Sequence, residues 1–266
     1  MIFTCDKNKL QESIAIAQKA ITILEGLYIE ASENIVTIIG SDKDVSIETK
    51  FEADVTEPGK LVVDAKIFGE IIRKLPNDKI KIETVSEEAI RITCQKSVFD
   101  LLHMNAEDFP SLPKINENMI FSINQGILKN MIKGTSFAIA QDETRPILQG
   151  ILFEIKDSKL NLVALDGYRL AIRTENIDTN NTINAVIPGK TLNEVAKILE
   201  DSEEIVNITF TPNHILFNMG DTKVISRLLE GEFIKYDALL PKEHKLQIEV
   251  DKQTLQNGIE RASLMA

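Results

Sequence analysis

The chain repeats itself, and a repeat constrains what every segment between its copies has to be. FTCDKNKLQESIAIAQKAI (3–21), FSINQGILKNMIKGTSFAI (121–139) and IEVDKQTLQNGIERASLMA (248–266) share one pattern. Each opens on a strand-like piece and reaches an N-cap candidate, Asp6, Asn124 or Asp251. Each then has a leucine four residues on (Leu10, Leu128, Leu255) and an isoleucine four beyond it (Ile14, Ile132, Ile259). That spacing stacks the aliphatics on one helix face, and Asp or Asn at the cap accepts first-turn N–H groups that have no partner inside the helix. A second segment repeats without gaps. VVDAKIFGEIIRKL (62–75) lies on VIPGKTLNEVAKIL (186–199), with Lys66 on Lys190, Phe68 on Leu192, Glu70 on Glu194 and Leu75 on Leu199. EDFPSLP (107–113) and GEFIKYDALLP (231–241) close the units in the same order.

Between the helices, apolar and polar residues alternate and break at short polar turns such as Ser32-Glu33-Asn34 and Ser41-Asp42-Lys43. Period two with such turns predicts antiparallel meanders, so the class is α+β, with helices packed on antiparallel sheets. Each unit reads strand, helix, strands, helix, strands. The expected units are 1–115, 116–243 and 244–266, the last holding only the first strand and helix of a third copy, too little to bury a core. Unit two spends six residues more than unit one after its first helix, in AQDETRP, before ILQG (147–150) answers ILEG (23–26). The simplest account is a loop there that the sequence as given lacks; a deletion is the alternative.

Several chemistries are excluded early. Cys5 and Cys94, with His103, His214 and His244, show no zinc spacing, and the cysteines read as small buried hydrophobes in a reducing compartment. There is no phosphate-binding glycine loop and no G-x-S-x-G. No cofactor and no metal are implied. MIFTCDKNKL lacks the pattern of a signal peptide and no apolar run is long enough to span a membrane, so a cytoplasmic protein without membrane contact is expected.

The net charge of −11 argues against nucleic acid only if the charges are evenly spread. They are not. The inferred helices 7–21, 66–75, 125–139, 190–199 and 252–266 carry twelve basic residues: Lys7, Lys9, Lys19, Lys66, Arg73, Lys74, Lys129, Lys133, Lys190, Lys197, Lys252 and Arg261. Against them stand four acidic ones, Glu12, Glu70, Glu194 and Glu260. Lysine is a good helix former, so plain surface decoration is one reading. The other is a basic helical layer facing a polyanion. No cluster of Arg, Asn and Gln suits base edges, so such contact would be to phosphates, sequence-independent and salt-sensitive.

In this setting QDETRPILQGILFEI (141–155), ALDGYRLAIRTE (164–175), SRLLEGEFIKYDALLP (226–241), KLVVDAKIFGEIIRKLP (60–76) and MNAEDFPSLP (104–113) form an ordered set along the chain. With them the sequence resembles the β sliding clamp family of bacterial DNA polymerase III over its whole length. The resemblance implies repeated clamp domains, two chains closing head to tail into a six-domain ring, helices lining the hole and sheets outside. It implies a non-catalytic processivity factor that encircles duplex DNA and slides along it. Its partners would be the polymerase catalytic subunit, the clamp loader and other proteins carrying a clamp-binding peptide motif. DNA-facing residues would be Lys7, Lys9, Lys66, Arg73, Lys74, Lys129, Lys133, Arg145, Lys190 and Lys197. Arg145 has a second reading, a salt bridge to Asp142 or Glu143. The peptide groove would include Leu148, Leu165, Gly167, Tyr168, Arg169, Leu170, Ile234 and Leu239, with Leu148, Leu170, Ile234 and Leu239 as apolar pocket and Tyr168 and Arg169 as polar rim. Ile234 stands where the family commonly has proline and Tyr168 where it has histidine. Unit one would supply the dimer contact.

Two rivals remain. LVALDGYRLAIR (162–173) packs Asp166, Tyr168 and Arg169 together and suggests a hydrolase. Strand alternation would send Tyr168 and Arg169 to opposite faces, and no histidine or second carboxylate lies nearby in sequence to act as base. The third class is a protein-interaction scaffold without nucleic-acid binding, which the charge segregation disfavours.

Overall fold

The computed structural model describes all residues except 22–25, 111, 114, 116–119, 143, 242, 244 and 266, and the backbone alone of residue 120. The interruption expected after Ile21 therefore lies outside the described residues. The chain divides into two compact units, Met1–Glu232 and Phe233–Ala266.

The larger unit contains the two repeats. The first has β1 (Ile2–Asp6), α1 (Lys7–Ala17), β2 (Gly26–Ser32), β3 (Ile35–Ser41), β4 (Val45–Glu52), β5 (Asp54–Glu57), β6 (Gly59–Asp64), α2 (Ala65–Lys74), β7 (Lys79–Thr84), β8 (Ala89–Cys94) and β9 (Ser97–Met104). The second has β10 (Ile120–Asn124), α3 (Gln125–Ser136), β11 (Gly150–Lys156), β12 (Lys159–Leu165), β13 (Leu170–Asn176), β14 (Ile183–Pro188), α4 (Gly189–Ile198), β15 (Ile205–Phe210), β16 (His214–Met219) and β17 (Thr222–Arg227). Strand neighbours run β4-β3-β2-β6 in the first repeat and β13-β12-β11-β14 in the second, the same meander twice. Its first hairpin also recurs: Glu33 and Asn34, then Asp157 and Ser158, all hold positive φ, the left-handed pair that a two-residue turn between right-twisted strands requires.

Burial follows the repeat. Leu10 and Leu128, Ile14 and Ile132, Phe68 and Leu192, and Leu75 and Leu199 are all buried. One core gathers residues from Phe3 to Cys94; the other runs from Phe121 to Val224 and takes in Ala20, Val45 and Ile47 of the first repeat. That sharing accompanies a strand pairing across the repeats. β17 pairs antiparallel with β4, Thr222 opposite Thr49 and Val224 opposite Ile47, so one ladder crosses from repeat to repeat.

The capping expectation holds at two of three sites. Asp6 accepts from the Asn8 and Lys9 N–H groups and Asp251 from that of Thr254. Asn124 makes no side-chain cap bond. The loop before β15 does its work, with the Glu204 and Ser202 carbonyls accepting from the Gln125 and Gly126 N–H groups. The helices are also shorter than their apolar period: α1 stops at Ala17 and continues as a 3-10 turn, Gln18–Ala20.

In the smaller unit a 3-10 turn, Tyr236–Leu239, precedes α5 (Lys252–Ser263). No residue of α5 is buried, and Leu255 and Ile259, which repeat Leu10 and Ile14, are more than half exposed.

Candidate functional site

The stretch that suggested chemistry folds as a turn. Leu165 pairs with Leu170 across β12 and β13, and Asp166–Arg169 connect them. The Asp166 carboxylate organises the connection, accepting from the Tyr168 N–H (3.0 Å), the Arg169 N–H (3.1 Å) and the Arg169 Nε–H (2.8 Å). Gly167 sits at φ +93°, a conformation that costs a Cβ-bearing residue strain. Tyr168 and Arg169 therefore do not alternate on a strand, which corrects the expectation that they point to opposite faces. The turn also leaves Asp166 poorly placed to act as a base. The backbone N–H of Tyr168, ahead of the Arg169 contacts, holds the Asp166 carboxyl below its usual range, and its oxygens are already engaged. Such a carboxylate is a poor proton acceptor.

Around this turn the predicted groove residues differ in availability. Leu148 and Leu165 are almost wholly buried, Leu170 is half-buried, and Tyr168 is fully exposed. The Arg169 guanidinium lies over the Phe137 ring, 5.9 Å from its centroid. Phe137 is 60% exposed and gives no sequence signal beyond being an apolar residue at the end of a helix. Ile234 and Leu239 belong to the smaller unit and are exposed there.

The predicted cations split into two groups. Lys129 reaches Asp201 at 2.9 Å with only 14% of its side chain exposed, and Lys197 reaches Glu194 at 2.7 Å. Arg73 and Lys74 share Glu70, whose carboxyl is pulled down by the Arg73 hydrogen bond. Lys190 crosses to Asp42 of the first repeat at 3.6 Å. Lys7, Lys9, Lys66, Lys133 and Arg145 make no ion pair among the described residues. Arg145 is exposed, and Asp142 bonds Thr144 rather than Arg145, which leaves the Asp142 salt bridge unformed. Glu143 lies outside the described residues.

Two strand edges escaped the sequence reading. β13 pairs only with β12 among the described residues. β9 pairs along its length with β8 and meets β6 only at His103 and Met104. Val98, Phe99, Leu102 and Met104 on β9 are exposed, and Leu102 is 73% so. Next to them a cleft of about 830 Å³ is lined by Ile21, Ile67, Ile71, Lys74, Leu75 and Phe99. Apolar residues on an open edge are a liability unless something covers them. The signal was present in SVFDLLHM but reads from sequence as an ordinary strand.

Among the described residues no group of three or more His, Cys, Asp or Glu side chains is arranged to hold a metal ion. Cys5 and Cys94 are buried and unpaired, and burial pushes the Cys5 thiol up to about 12.

Family models for the N-terminal and central domains of the DNA polymerase III beta subunit match residues 1–113 and 122–235. A β sliding clamp from Bacillus subtilis is 38% identical over the whole chain, which spans 75% of that relative. The chain belongs to the β sliding clamp family of DNA polymerase III. The clamp of Staphylococcus epidermidis is 35% identical over 97% of the chain and 72% of its own length. Among solved clamps, that of B. subtilis superposes with a TM-score of 0.97 at 36% identity, covering all of this chain and 74% of that one. One from Pseudomonas aeruginosa, solved bound to griselimycin, superposes at 0.94 with 28% identity over 99% of this chain and 74% of that one. The α+β clamp fold and the role of a DNA polymerase III β sliding clamp are thereby established, and the alternative of a protein-interaction scaffold without nucleic-acid binding is not supported.

Proposed function

We propose that the chain acts as one half of a closed ring that encircles duplex DNA without sequence preference, slides along it, and tethers the replicative polymerase and other partners by a peptide groove. It performs no catalysis and works in the cytoplasm; among the described residues no helix is long and apolar enough to cross a membrane. Its units are clamp domains 1–115 and 116–243 and the start of a third, 244–266.

The observation that carries this reading is the β17–β4 ladder. It joins the second repeat to the first through strands rather than through a linker. By the repeat, β13 answers β4 and β9 answers β17, and both have an open edge. A head-to-tail copy brings a β13-like edge of one unit to the β9 edge of another, covering Phe99 and Leu102. This continues an antiparallel sheet with backbone hydrogen bonds and buried apolar area. Unpaired cations such as Lys133 and Lys9 supply diffuse phosphate contact, which holds DNA weakly enough to slide.

The groove at the β12–β13 turn takes a peptide with apolar anchors on Leu148 and Leu170, and Gly167, Tyr168 and Arg169 form its rim. A griselimycin-bound relative supports a ligand site in this fold. Solution mass of the full-length protein tests the ring, and retention on DNA tests the topology. A dimer that stays on closed circles and leaves linear DNA is expected; equal retention on both sinks the topological mechanism. Leu170→Ala should weaken binding of a polymerase-tail peptide without unfolding the protein, and unchanged affinity removes the groove assignment.

A further inference from the structure

Phe137 belongs to neither hydrophobic core. It caps the C-terminus of α3 and is 60% exposed, while Ala138 and Ile139 after it are buried. An aromatic ring left this open gives up much of what burial returns, so core packing does not explain it. What covers its face is Arg169, at a distance within cation–π range. The same guanidinium is tied through Nε to Asp166, whose other oxygen holds the Arg169 backbone N–H. Arg169 is thus fixed at its backbone, its Nε and its planar face. A free surface arginine samples many rotamers, and ordering it on binding costs affinity.

The first repeat contains the same turn with a different cation. Asp42 accepts from the Asp44 and Val45 N–H groups, Lys43 takes φ +80° where Gly167 takes +93°, and the carboxylate meets Lys190 from α4. The aspartate turn therefore meets a cation in both repeats. In the second repeat the turn supplies its own cation, Arg169, and an exposed aromatic ring backs it.

Resting on the groove reading above, we propose that Phe137 and Asp166 are positioning residues that pre-order the Arg169 guanidinium at the groove rim. Its Nη groups, which bond none of the described residues, then meet an oxygen acceptor on the bound peptide. Removing the ring loosens the rim without touching the pocket.

The test uses the full-length chain and a fluorescein-labelled peptide from the clamp-contacting tail of the polymerase catalytic subunit, read by anisotropy. Phe137→Leu, which keeps apolar bulk and loses the ring, should weaken binding about two- to five-fold, the size of an exposed cation–π contact. Phe137→Tyr should restore wild-type affinity. In an Arg169→Ala background Phe137→Leu should have no further effect. Wild-type affinity in Phe137→Leu, or an undiminished loss in the Arg169→Ala background, overturns the inference. If Leu170→Ala weakens binding while Phe137→Leu does not, the positioning role falls and the groove stands. If Leu170→Ala and Arg169→Ala both leave affinity unchanged, the groove falls and the positioning role with it.

Discussion

Gly40→Ala should damage this fold far beyond what one methyl group suggests. Gly40 lies on β3 beneath the end of α1, and a Cβ built there would stand 2.2 Å from the Ala17 carbonyl oxygen and 2.9 Å from its carbon. A carbon and a carbonyl oxygen settle at roughly 3.3 Å or more, so α1 must retreat by about 1 Å. The obstacle is backbone and cannot rotate away. The helix that retreats carries Leu10, Ile14 and Ala17 in the first core, and the turn after it places Ala20 in the second. Overpacking of this kind costs about 1–3 kcal/mol. Without the clash, alanine would stabilise the chain by about 0.4–1 kcal/mol through the unfolded state, so even the sign is diagnostic. With a urea slope of about 3 kcal/mol per molar for a body of this size, the unfolding midpoint should fall by up to about 1 M. The second repeat has Ala164 at the matching position, fully buried, so the strand itself tolerates alanine and the helix end does not. A midpoint within about 0.2 M of wild type, or one raised, would refute the reasoning.

Other consequences concern function more directly. On the ring proposed above, Leu102→Lys on β9 should leave the melting temperature unchanged and shift the full-length protein from dimer to monomer in sedimentation; a persisting dimer would remove β9 from the interface. Lys133→Ala should lower the slope of log binding against log salt on an end-blocked duplex by about 0.9. Lys129→Ala, which strands Asp201, should change that slope less and stability more, and the reverse ranking would show that ion pairing does not decide which lysines meet DNA. The Asp166 carboxyl is held below its ordinary range, so its pair with Arg169 is fully present above the unfolded value of about 3.9 and lost as pH falls through the lower folded value. Peptide affinity should therefore be flat from pH 8 to about 5, with Asp166→Asn weaker throughout; a decline already centred near pH 6 would exclude Asp166 as the titrating group.

The sequence alone determined the repeat and, with it, most of what is buried. Leucine, isoleucine and phenylalanine at helical spacing must find a core, and they did so at matching positions in both copies, because periodicity is a local property that burial reads directly. It also determined the family, since five ordered segments survive whatever the packing does. Charge segregation was legible only as a total. Which lysines remain free was decided by residues far away along the chain, Asp201 for Lys129 and Asp42 for Lys190, and no local pattern announces such partners. The turn was half legible. Asp-Gly marked it, but its four-residue length depends on the β12–β13 register, and that misplaced Tyr168 and Arg169 on a strand. The β17–β4 ladder and the ring of Phe137 beneath Arg169 were legible nowhere, and SVFDLLHM marked a strand without showing that its edge is open. Each is a relation between segments brought together by folding, and a hydrogen-bond ladder or a cation over a ring exists only once both partners are in place.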